Sequence, residues 1–143
     1  MKPPLQEPHF EINMEVRDHE LDQFGVVNNA IYQNYFEHAR HAFLASRRIS
    51  IKNFLEGNYR PVISRMELEY VLPLQSGDIF SVQVWLCRIT RIKFQFFQQI
   101  HNFHSKQTTT RAMVIGTFIG PDEKPIIPDV MKTLITLEKS KNA

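Results

Sequence analysis

Residues 20–32 read ELDQFGVVNNAIY and place an acidic side chain in a tight loop directly before a long amphipathic segment. Gly25 lies between Asp22 and Asn28, and glycine adopts backbone conformations that residues with a side chain rarely take. Such a loop can aim the Asp22 carboxylate at the first turn of the following helix. Free N–H groups and the positive end of the helix dipole favour a partly negative oxygen there. One carboxylate and one set of N–H donors suit the hydrolysis of an activated acyl group.

The composition is that of an ordinary globular chain of 143 residues, with 43% hydrophobic and 11% aromatic residues. This is enough apolar material for a single core. We therefore predict one domain over residues 1–143, with flexible tails at residues 1–8 and 138–143. The formal net charge of +2 is too small to indicate nucleic-acid binding. No stretch approaches the ~20 apolar residues of a membrane span, and MKPPLQEPHF lacks the apolar centre of a signal peptide.

Cys87 is the only cysteine in the sequence, which excludes an intramolecular disulfide. Its position in the apolar run VQVWLCRI predicts a buried, reduced thiol with a structural role, because an activated thiolate is not expected in such surroundings. These features predict a soluble protein of a reducing compartment. We expect the cytoplasm, or the plastid stroma if a transit peptide has been removed.

The order of the predicted elements is strand, helix and then several strands. Residues 9–18 alternate apolar and polar side chains with the period of two that is typical of a half-buried strand. A helix is predicted over residues 29–48, with Asn28 as its N-cap, because apolar residues recur at helical spacing. They are Tyr32, Tyr35, Phe36, Ala39 and Phe43. Ser50 is predicted to cap a short helical turn that ends near Gly57.

The second half predicts an antiparallel meander followed by a short helical segment over residues 129–137. Its first strand places on one face Val62, Ser64, Met66, Leu68 and Tyr70. Alternation in the later strands assigns Trp85, Phe97, Val114 and Phe118 to the face opposite Val84, Phe96 and Met113. One helix cannot cover both faces of about five strands. The second face therefore predicts an oligomer whose sheets pack or pair.

The segment ELDQFGVVNNAIYQNYFEHAR lies behind a strand ending in VRDHE and ahead of the strand-turn VLPLQSGD. Together these segments resemble the 4-hydroxybenzoyl-CoA thioesterase branch of the hotdog-fold thioesterases, and most of all the single-domain acyl-lipid thioesterases of plants and cyanobacteria. The resemblance implies an α+β hotdog fold, in which an antiparallel sheet of five to six strands wraps around one long central helix. It also implies homodimers or homotetramers with active sites at the dimer interface, and no metal or redox cofactor.

The resemblance assigns the catalytic acid to Asp22, and it assigns the amide that polarises the thioester carbonyl to the backbone N–H of Asn29. Asp22 then acts either as a nucleophile that forms a mixed anhydride or as a general base on water. The predicted substrate-binding residues are Gly25, Val27, Asn28 and Tyr32, although Asn28 is equally an N-cap and Tyr32 a core residue. Related plant acyl-carrier-protein thioesterases carry Asn and His where this sequence has Phe24 and Val26, so those two polar roles are absent.

The predicted activity is hydrolysis of acyl-CoA or acyl-carrier-protein thioesters, and the resemblance favours a fatty acyl group. The alternatives are an aromatic acyl-CoA of the hydroxybenzoyl or dihydroxynaphthoyl type, or a non-catalytic acyl- or RNA-binding module. Arg88, Arg91 and Lys93 lie across a predicted turn. They are candidates for binding the phosphates of coenzyme A or an acidic carrier protein, although a solvated hairpin tip explains them equally well.

Two further patterns in the sequence invite other functions. The pair His38 and His41 lacks both the order of a known zinc motif and a third ligand nearby, so no metal site is predicted. The segment KFQFFQQIHNF places aromatic residues beside basic ones, as in sheets that stack on RNA bases. Phe94 and Phe96, however, alternate as core residues do, so nucleic acid is not a predicted partner.

Overall fold

The computed structural model describes residues 1–141, and the part of the predicted C-terminal tail at residues 142–143 lies outside them. Within this range the chain forms an antiparallel sheet and three α-helices. The strands are β1 (Phe10–Glu15), β2 (Arg60–Tyr70), β3 (Ile79–Arg88), β4 (Phe94–Asn102), β5 (Thr108–Ile119) and β6 (Pro125–Ile126). The helices are α1 (Ile31–Ser46), α2 (Ile51–Glu56) and α3 (Asp129–Lys141).

The sheet has the order β1-β3-β4-β5-β2, with the short β6 paired to the end of β5. Helix α1 lies across one face of this sheet and contacts β1 and β3. The predicted apolar face of α1 is buried as expected, and it includes Tyr32, Tyr35, Phe36, Ala39 and Phe43. Phe80 of β3 packs against this face, with its ring centroid 4.7 Å from that of Tyr35. The predicted α+β architecture, a sheet around a long central helix, is confirmed.

The ends of the helices follow from local capping contacts. The Asn28 side chain accepts a hydrogen bond from the N–H of Ala30 at 3.0 Å, so Asn28 caps the turn that precedes α1, and the helix itself begins at Ile31. It ends earlier than predicted, because Arg48 adopts a left-handed backbone conformation with φ of 60°. Helix α2 is capped as predicted, since the Ser50 hydroxyl accepts the N–H of Asn53 at 3.1 Å.

Strand β2 contains a bulge between Ile63 and Arg65, which the sequence analysis missed. An extra residue in one strand reverses the alternation of side chains. Val62 and Ser64 therefore do not share a face with the later residues of the strand, contrary to the prediction. According to the register, five residues of β2 lie on the face of the sheet that is turned toward helix α1. They are Pro61, Ile63, Met66, Leu68 and Tyr70.

The predicted outer face of the sheet was wrong for two residues of β5. Val114 and Phe118 lie in the core, with 0% and 2% of their surface exposed. Val114 pairs with the core residue Phe96, and cross-strand partners share a face of the sheet. Met113 pairs with Phe97 and so lies on the outer face instead. The sequence does not give the register of β5 on β4. The face of each β5 side chain therefore could not be deduced from the alternation in β4.

Trp85 and Phe97 do lie on the outer face, where their rings meet edge to face at 5.7 Å. The segment of residues 1–9 partly covers them, because the carbonyl of Gln6 accepts a hydrogen bond from the Trp85 indole at 2.9 Å. Both aromatic residues are buried within the single chain. The apolar patch from which an oligomer was inferred is therefore smaller than expected. Oligomerisation and the flexibility of residues 1–8 stay predictions.

The C-terminal helix is confirmed and is longer than predicted. Because α3 continues to Lys141, residues 138–141 are helical, whereas the flexibility of residues 138–143 stays a prediction. Glu138 is 2% exposed, and its carboxylate lies 2.7 Å from the guanidinium of Arg47. This ion pair ties the end of α3 to the end of α1.

Cys87 is exposed, which corrects the prediction of a buried thiol. It follows the apolar part of β3 and lies on the outer face near a hairpin, where α1 does not cover the sheet. Partial desolvation of the sulfur raises the pKa of the thiol, so Cys87 has no sign of activation as a nucleophile. No helix within residues 1–141 is both long and apolar enough to span a bilayer.

Candidate active site

The loop between the first strand and α1 closes as a tight hairpin. The N–H of Asp22 donates to the carbonyl of Val26 at 2.8 Å, and Leu21 pairs with Val27 just outside the loop. Gly25 has a φ of 80°, in the left-handed region that glycine occupies without strain. The predicted conformational role of Gly25 is confirmed, and it is a role in shaping the loop.

The Asp22 carboxylate is half-buried and uses its two oxygen atoms differently. Oδ1 accepts the backbone N–H of Phe24 at 2.8 Å and, more weakly, that of Val26 at 3.5 Å. Oδ2 has no hydrogen-bond donor among residues 1–141. One oxygen therefore fixes the side chain in the loop, as an aspartate in a turn commonly does. The other oxygen remains available for chemistry.

Three of the four backbone amides of residues 28–31, which lead into α1, are occupied. The N–H of Asn28 donates to the carbonyl of Glu20, while those of Ala30 and Ile31 donate to the side chain and the carbonyl of Asn28. In the described chain only the N–H of Asn29 in this group has no acceptor. A free donor thus lies close to the positive end of the helix dipole, where a developing oxyanion would be stabilised.

A cavity of about 190 Å³ opens beside this amide and is lined by Val27, Asn29, Tyr32 and Tyr70, among others. Three of the predicted site residues, Val27, Asn29 and Tyr32, are thus brought together. Gly25 and Asn28 do not line the cavity, and Asn28 acts as a cap.

Tyr32 links the cavity to the acidic loop. It is 2% exposed, and burial raises the pKa of its hydroxyl, while a hydrogen bond from the N–H of Leu74 at 3.1 Å opposes that rise. The negative charges of Asp78 and Asp22 raise the Tyr32 pKa further. The Asp22 carboxylate therefore lies within electrostatic reach of the Tyr32 hydroxyl, which stays protonated.

Two residues of the site were missed by the sequence analysis. The hydroxyl of Tyr70 donates to the carbonyl of Asn29 at 2.9 Å and so holds the peptide next to the free amide. The carbonyl of Leu74 accepts the N–H of Val27 at 2.9 Å. Tyr70 directly precedes the segment VLPLQSGD, and Leu74 lies within it; this segment carried part of the family resemblance. Its pattern suggested a strand and a turn, and no site role was assigned to it.

The predicted phosphate-binding cluster does not meet the acidic loop within one chain. The loop adjoins Gln75 near the start of β3, whereas Arg88 ends that strand. Ten residues of strand separate the two by roughly 30 Å. Arg88 also donates to the carbonyls of Thr90 and Arg91 at 3.1 and 2.7 Å, which holds the hairpin together. The exposed Arg91 and Lys93 complete the hairpin tip, and a phosphate role for the cluster stays a prediction.

The two histidines of α1 face different cavities. His38 lines a polar cleft of about 860 Å³ beside β1, and His41 lines an apolar cavity toward β2. Within residues 1–141 no three side chains of His, Cys, Asp or Glu come close enough to hold a metal ion.

Phe94 and Phe96 are buried in the core as predicted, so they cannot stack on bases.

Comparisons with known proteins agree with the geometry. Residues 16–134 match the family model described as the Thioesterase-like superfamily. Two chloroplastic acyl-acyl carrier protein thioesterases of Arabidopsis thaliana are 33% and 36% identical, over 86% and 80% of this chain. The chain spans 65% and 60% of the lengths of these relatives.

Among solved structures, a 1,4-dihydroxy-2-naphthoyl-CoA thioesterase from Synechocystis has the same fold, with a TM-score of 0.84 at 22% sequence identity. The match covers 89% of this chain and 95% of that one. The common fold therefore extends over nearly all of both chains.

Proposed function

Because this chain belongs to the Thioesterase-like superfamily, we propose that it hydrolyses acyl-CoA or acyl-carrier-protein thioesters to the free acid and the thiol. The observation that carries the proposal is the free N–H of Asn29, which lies at the opening of α1 beside a cavity and next to the loop that holds Asp22. This pair supplies an oxyanion donor and an oxygen acid. These two groups suffice for the hydrolysis of a thioester, because the thiolate is a good leaving group.

The chemistry follows one of two routes from the same atoms. In the first, Oδ2 of Asp22 attacks the thioester carbon, the C–S bond breaks, and water then hydrolyses the mixed anhydride. In the second, Asp22 takes a proton from a water molecule, and that water attacks the carbon. The C–S bond then breaks, and the departing thiolate takes up the proton, which leaves the free acid and the thiol. In both routes the N–H of Asn29 stabilises the negative carbonyl oxygen. Loss of one such donor costs about 2.7–4 kcal/mol in an enzyme where it was removed.

The relatives favour particular substrates and carriers. Both Arabidopsis proteins are named acyl-acyl carrier protein thioesterases, which supports an acyl carrier protein as the donor of the acyl group. The cavity wall is formed largely by apolar side chains, which suits a fatty acyl chain. An aromatic acyl-CoA is the second candidate, and we expect it to be the poorer substrate.

We also propose a homodimer or homotetramer. Within residues 1–141, strand β2 pairs only with β5 and so leaves its other edge open along eleven residues. A long open edge is a ready site for pairing with a second sheet. The cytoplasm or the plastid stroma is the proposed location, since the exposed thiol of Cys87 suits a reducing compartment.

The test is a hydrolysis panel in which thiol release is measured for purified protein. The panel contains saturated acyl-CoA and acyl-carrier-protein thioesters of increasing chain length, together with hydroxybenzoyl-CoA and dihydroxynaphthoyl-CoA. We expect release from fatty acyl thioesters above the rate without protein. Release from the aromatic thioesters alone would replace the fatty acyl assignment, and no release from any of them would indicate a binding protein.

A further inference from the structure

A second cavity lies between α1 and β2, farther along the helix than the candidate active site. Its volume is about 200 Å³. Its apolar wall includes Leu44, Ile51, Phe94, Phe96, Phe118 and Met131. Two charged residues of α1, Glu37 and Arg40, also line it. A charged side chain in the wall of an apolar cavity is uncommon and calls for a physical reason.

Arg40 is the residue that stands out. It is 7% exposed, and one end of its guanidinium donates to Oε1 of Gln98 at 3.0 Å. The Gln98 amide in turn donates to the carbonyl of Phe36 at 2.9 Å, which fixes its orientation. The remaining guanidinium donors have no acceptor within residues 1–141, although a guanidinium carries five N–H groups. The Arg40 guanidinium is therefore held in place by Gln98, and its other N–H groups remain available to a ligand.

The charge of Arg40 has no ion-pair partner in the described chain. Burial lowers the pKa of Arg40, and only the more exposed Glu37 acts in the opposite direction. A cation with so little exposure to solvent lowers stability unless hydrogen bonds or an opposite charge compensate it. Such a loss of stability is expected where the cation binds a ligand. The Arg40 charge is not needed to hold α1, because the aromatic face of the helix already packs on the sheet.

The cavity is aligned with the candidate active site. Asn29 lies in the turn before α1, and Arg40 lies eleven residues later in the third turn of the helix, so the two are about 16 Å apart along its axis. Strand β2 borders both cavities, with Tyr70 at the first and Ile63 at the second. Residues of both α1 and β2 thus line each of the two cavities.

We propose that this second cavity holds the distal end of the acyl chain, and that Arg40 selects chains that carry a hydroxyl group there. The inference rests on the proposed thioester hydrolysis at Asp22. An extended chain of single bonds advances about 1.2 Å per bond, as a polypeptide does over three bonds per residue. A chain of about twelve carbons therefore reaches from the amide of Asn29 to Arg40.

A hydroxyl group can form hydrogen bonds with both charged residues at the same time. It accepts a hydrogen bond from the Arg40 guanidinium and can donate one to the Glu37 carboxylate. A terminal carboxylate accepts from Arg40 but is repelled by Glu37. A plain methyl end leaves the Arg40 donors without an acceptor in a desolvated site.

The test measures binding without relying on turnover. Thioether analogues of coenzyme A cannot be hydrolysed, and S-dodecyl-CoA, S-(12-hydroxydodecyl)-CoA and the ω-carboxylate analogue are titrated by calorimetry into the wild-type protein. We expect the hydroxyl analogue to bind about tenfold more tightly than the plain one, as one hydrogen bond to a charged group allows. The carboxylate analogue should lie between them.

Two variants separate selection from a structural role. Arg40→Met keeps an unbranched side chain without the charge, and we expect it to remove the tenfold preference while S-dodecyl-CoA still binds. The control Lys52→Met removes an exposed cation on α2 and should keep the preference. Equal affinities in the wild type, or equal losses for all three analogues in Arg40→Met, would overturn the inference. The wild-type ratio decides the question even if Arg40→Met does not fold.

The same chains attached as thioesters test the proposed function separately. If 12-hydroxydodecanoyl-CoA and dodecanoyl-CoA release thiol, the ratio of their kcat/KM values should follow the binding preference. If neither releases thiol while the analogues keep their preference, the hydrolytic function fails and the Arg40 site stands.

Discussion

At the scale of single residues, the loop before α1 depends on a glycine and an aspartate with separate tasks. Gly25 takes the left-handed conformation that closes the loop, and Asp22 uses one carboxylate oxygen to hold the loop and keeps the other free. The spacing of these residues predicted the loop correctly. It could not show which oxygen is free or which amide lacks an acceptor, because both depend on hydrogen bonds with residues distant in sequence.

We expect Gly25→Ala to lower the free energy of unfolding by about 1–2 kcal/mol, since an alanine is strained in the left-handed region. The cost comes from the backbone alone, because no atom lies within 4 Å of the position a Cβ would occupy. Gly77→Ala is a matched control, with a φ of 74° and equally open space. Urea denaturation should give similar losses for both variants, while kcat/KM should fall more for Gly25→Ala. A greater loss of kcat/KM in Gly77→Ala would contradict the role of the loop.

His101 makes stability depend on pH. Its ring lies on the outer face, with Nε2 3.0 Å from the side-chain oxygen of Gln83. Desolvation lowers the pKa of His101, Glu11 opposes this, and Arg111 adds to it. As the pH is lowered, His101 therefore binds its proton at a higher pH in the unfolded chain, where the pKa of histidine is about 6.5, than in the folded chain. Stability from this group is therefore complete above that pH and is lost as the pH falls toward the folded pKa.

We expect His101→Gln, which cannot gain a charge, to lose less stability than the wild type as the pH is lowered through about 6.5. Urea denaturation at a series of pH values measures this. The difference in unfolding free energy between the wild type and the variant should shrink as the pH falls. A difference that stays constant from neutral pH to about pH 5 would show that His101 titrates alike in both states.

At the scale of elements, periodicity predicted the existence and order of β1 to β5 and of all three helices. It failed where the phase of a strand matters. The bulge in β2 reversed the alternation before Met66, and the register of β5 on β4 moved Val114 into the core. Strand β6 was also missed, because its Pro125 interrupts the sequence pattern of a strand while still pairing at the end of β5. Bulges and register are set by contacts between strands.

The open edge of β2 carries a prediction about assembly. Val62 is 41% exposed in the single chain, and lysines on edge strands prevent pairing. We expect Val62→Lys to weaken dimer formation at least tenfold and to lower activity with it. Light scattering coupled to gel filtration measures the mass against that of the 16.8 kDa chain.

Phe103→Lys serves as the control for this test, since Phe103 is 42% exposed in the turn after β4 and away from the β2 edge. It should leave the mass unchanged. A wild-type protein that runs as a monomer, or a Val62→Lys variant with the wild-type mass and full activity, would rule out pairing through β2.

At the scale of the whole molecule, the candidate site combines parts that are far apart in sequence. Tyr70 at the end of β2 and Leu74 in the loop after it hold the start of α1 from about forty residues away. The resemblance to a family supplied Asp22 and Asn29, whereas the supporting residues emerged only with the fold. The basic hairpin at Arg88 differs from Tyr70 and Leu74, because the fold of the single chain keeps it far from Asp22. Only a neighbouring subunit could bring the two together.

The Asp22 carboxylate is proposed to perform the hydrolysis, and thiol release by the Asp22→Asn variant is the measurement that tests this role. The control is Asp122→Asn, because Asp122 accepts the N–H of Lys124 at 3.2 Å in a turn contact like that between Asp22 and Phe24. Both variants should fold, as circular dichroism would show. We expect kcat to fall by about 10²–10⁴-fold in Asp22→Asn and to stay near the wild-type value in Asp122→Asn. Near-normal thiol release by a folded Asp22→Asn would contradict the claim.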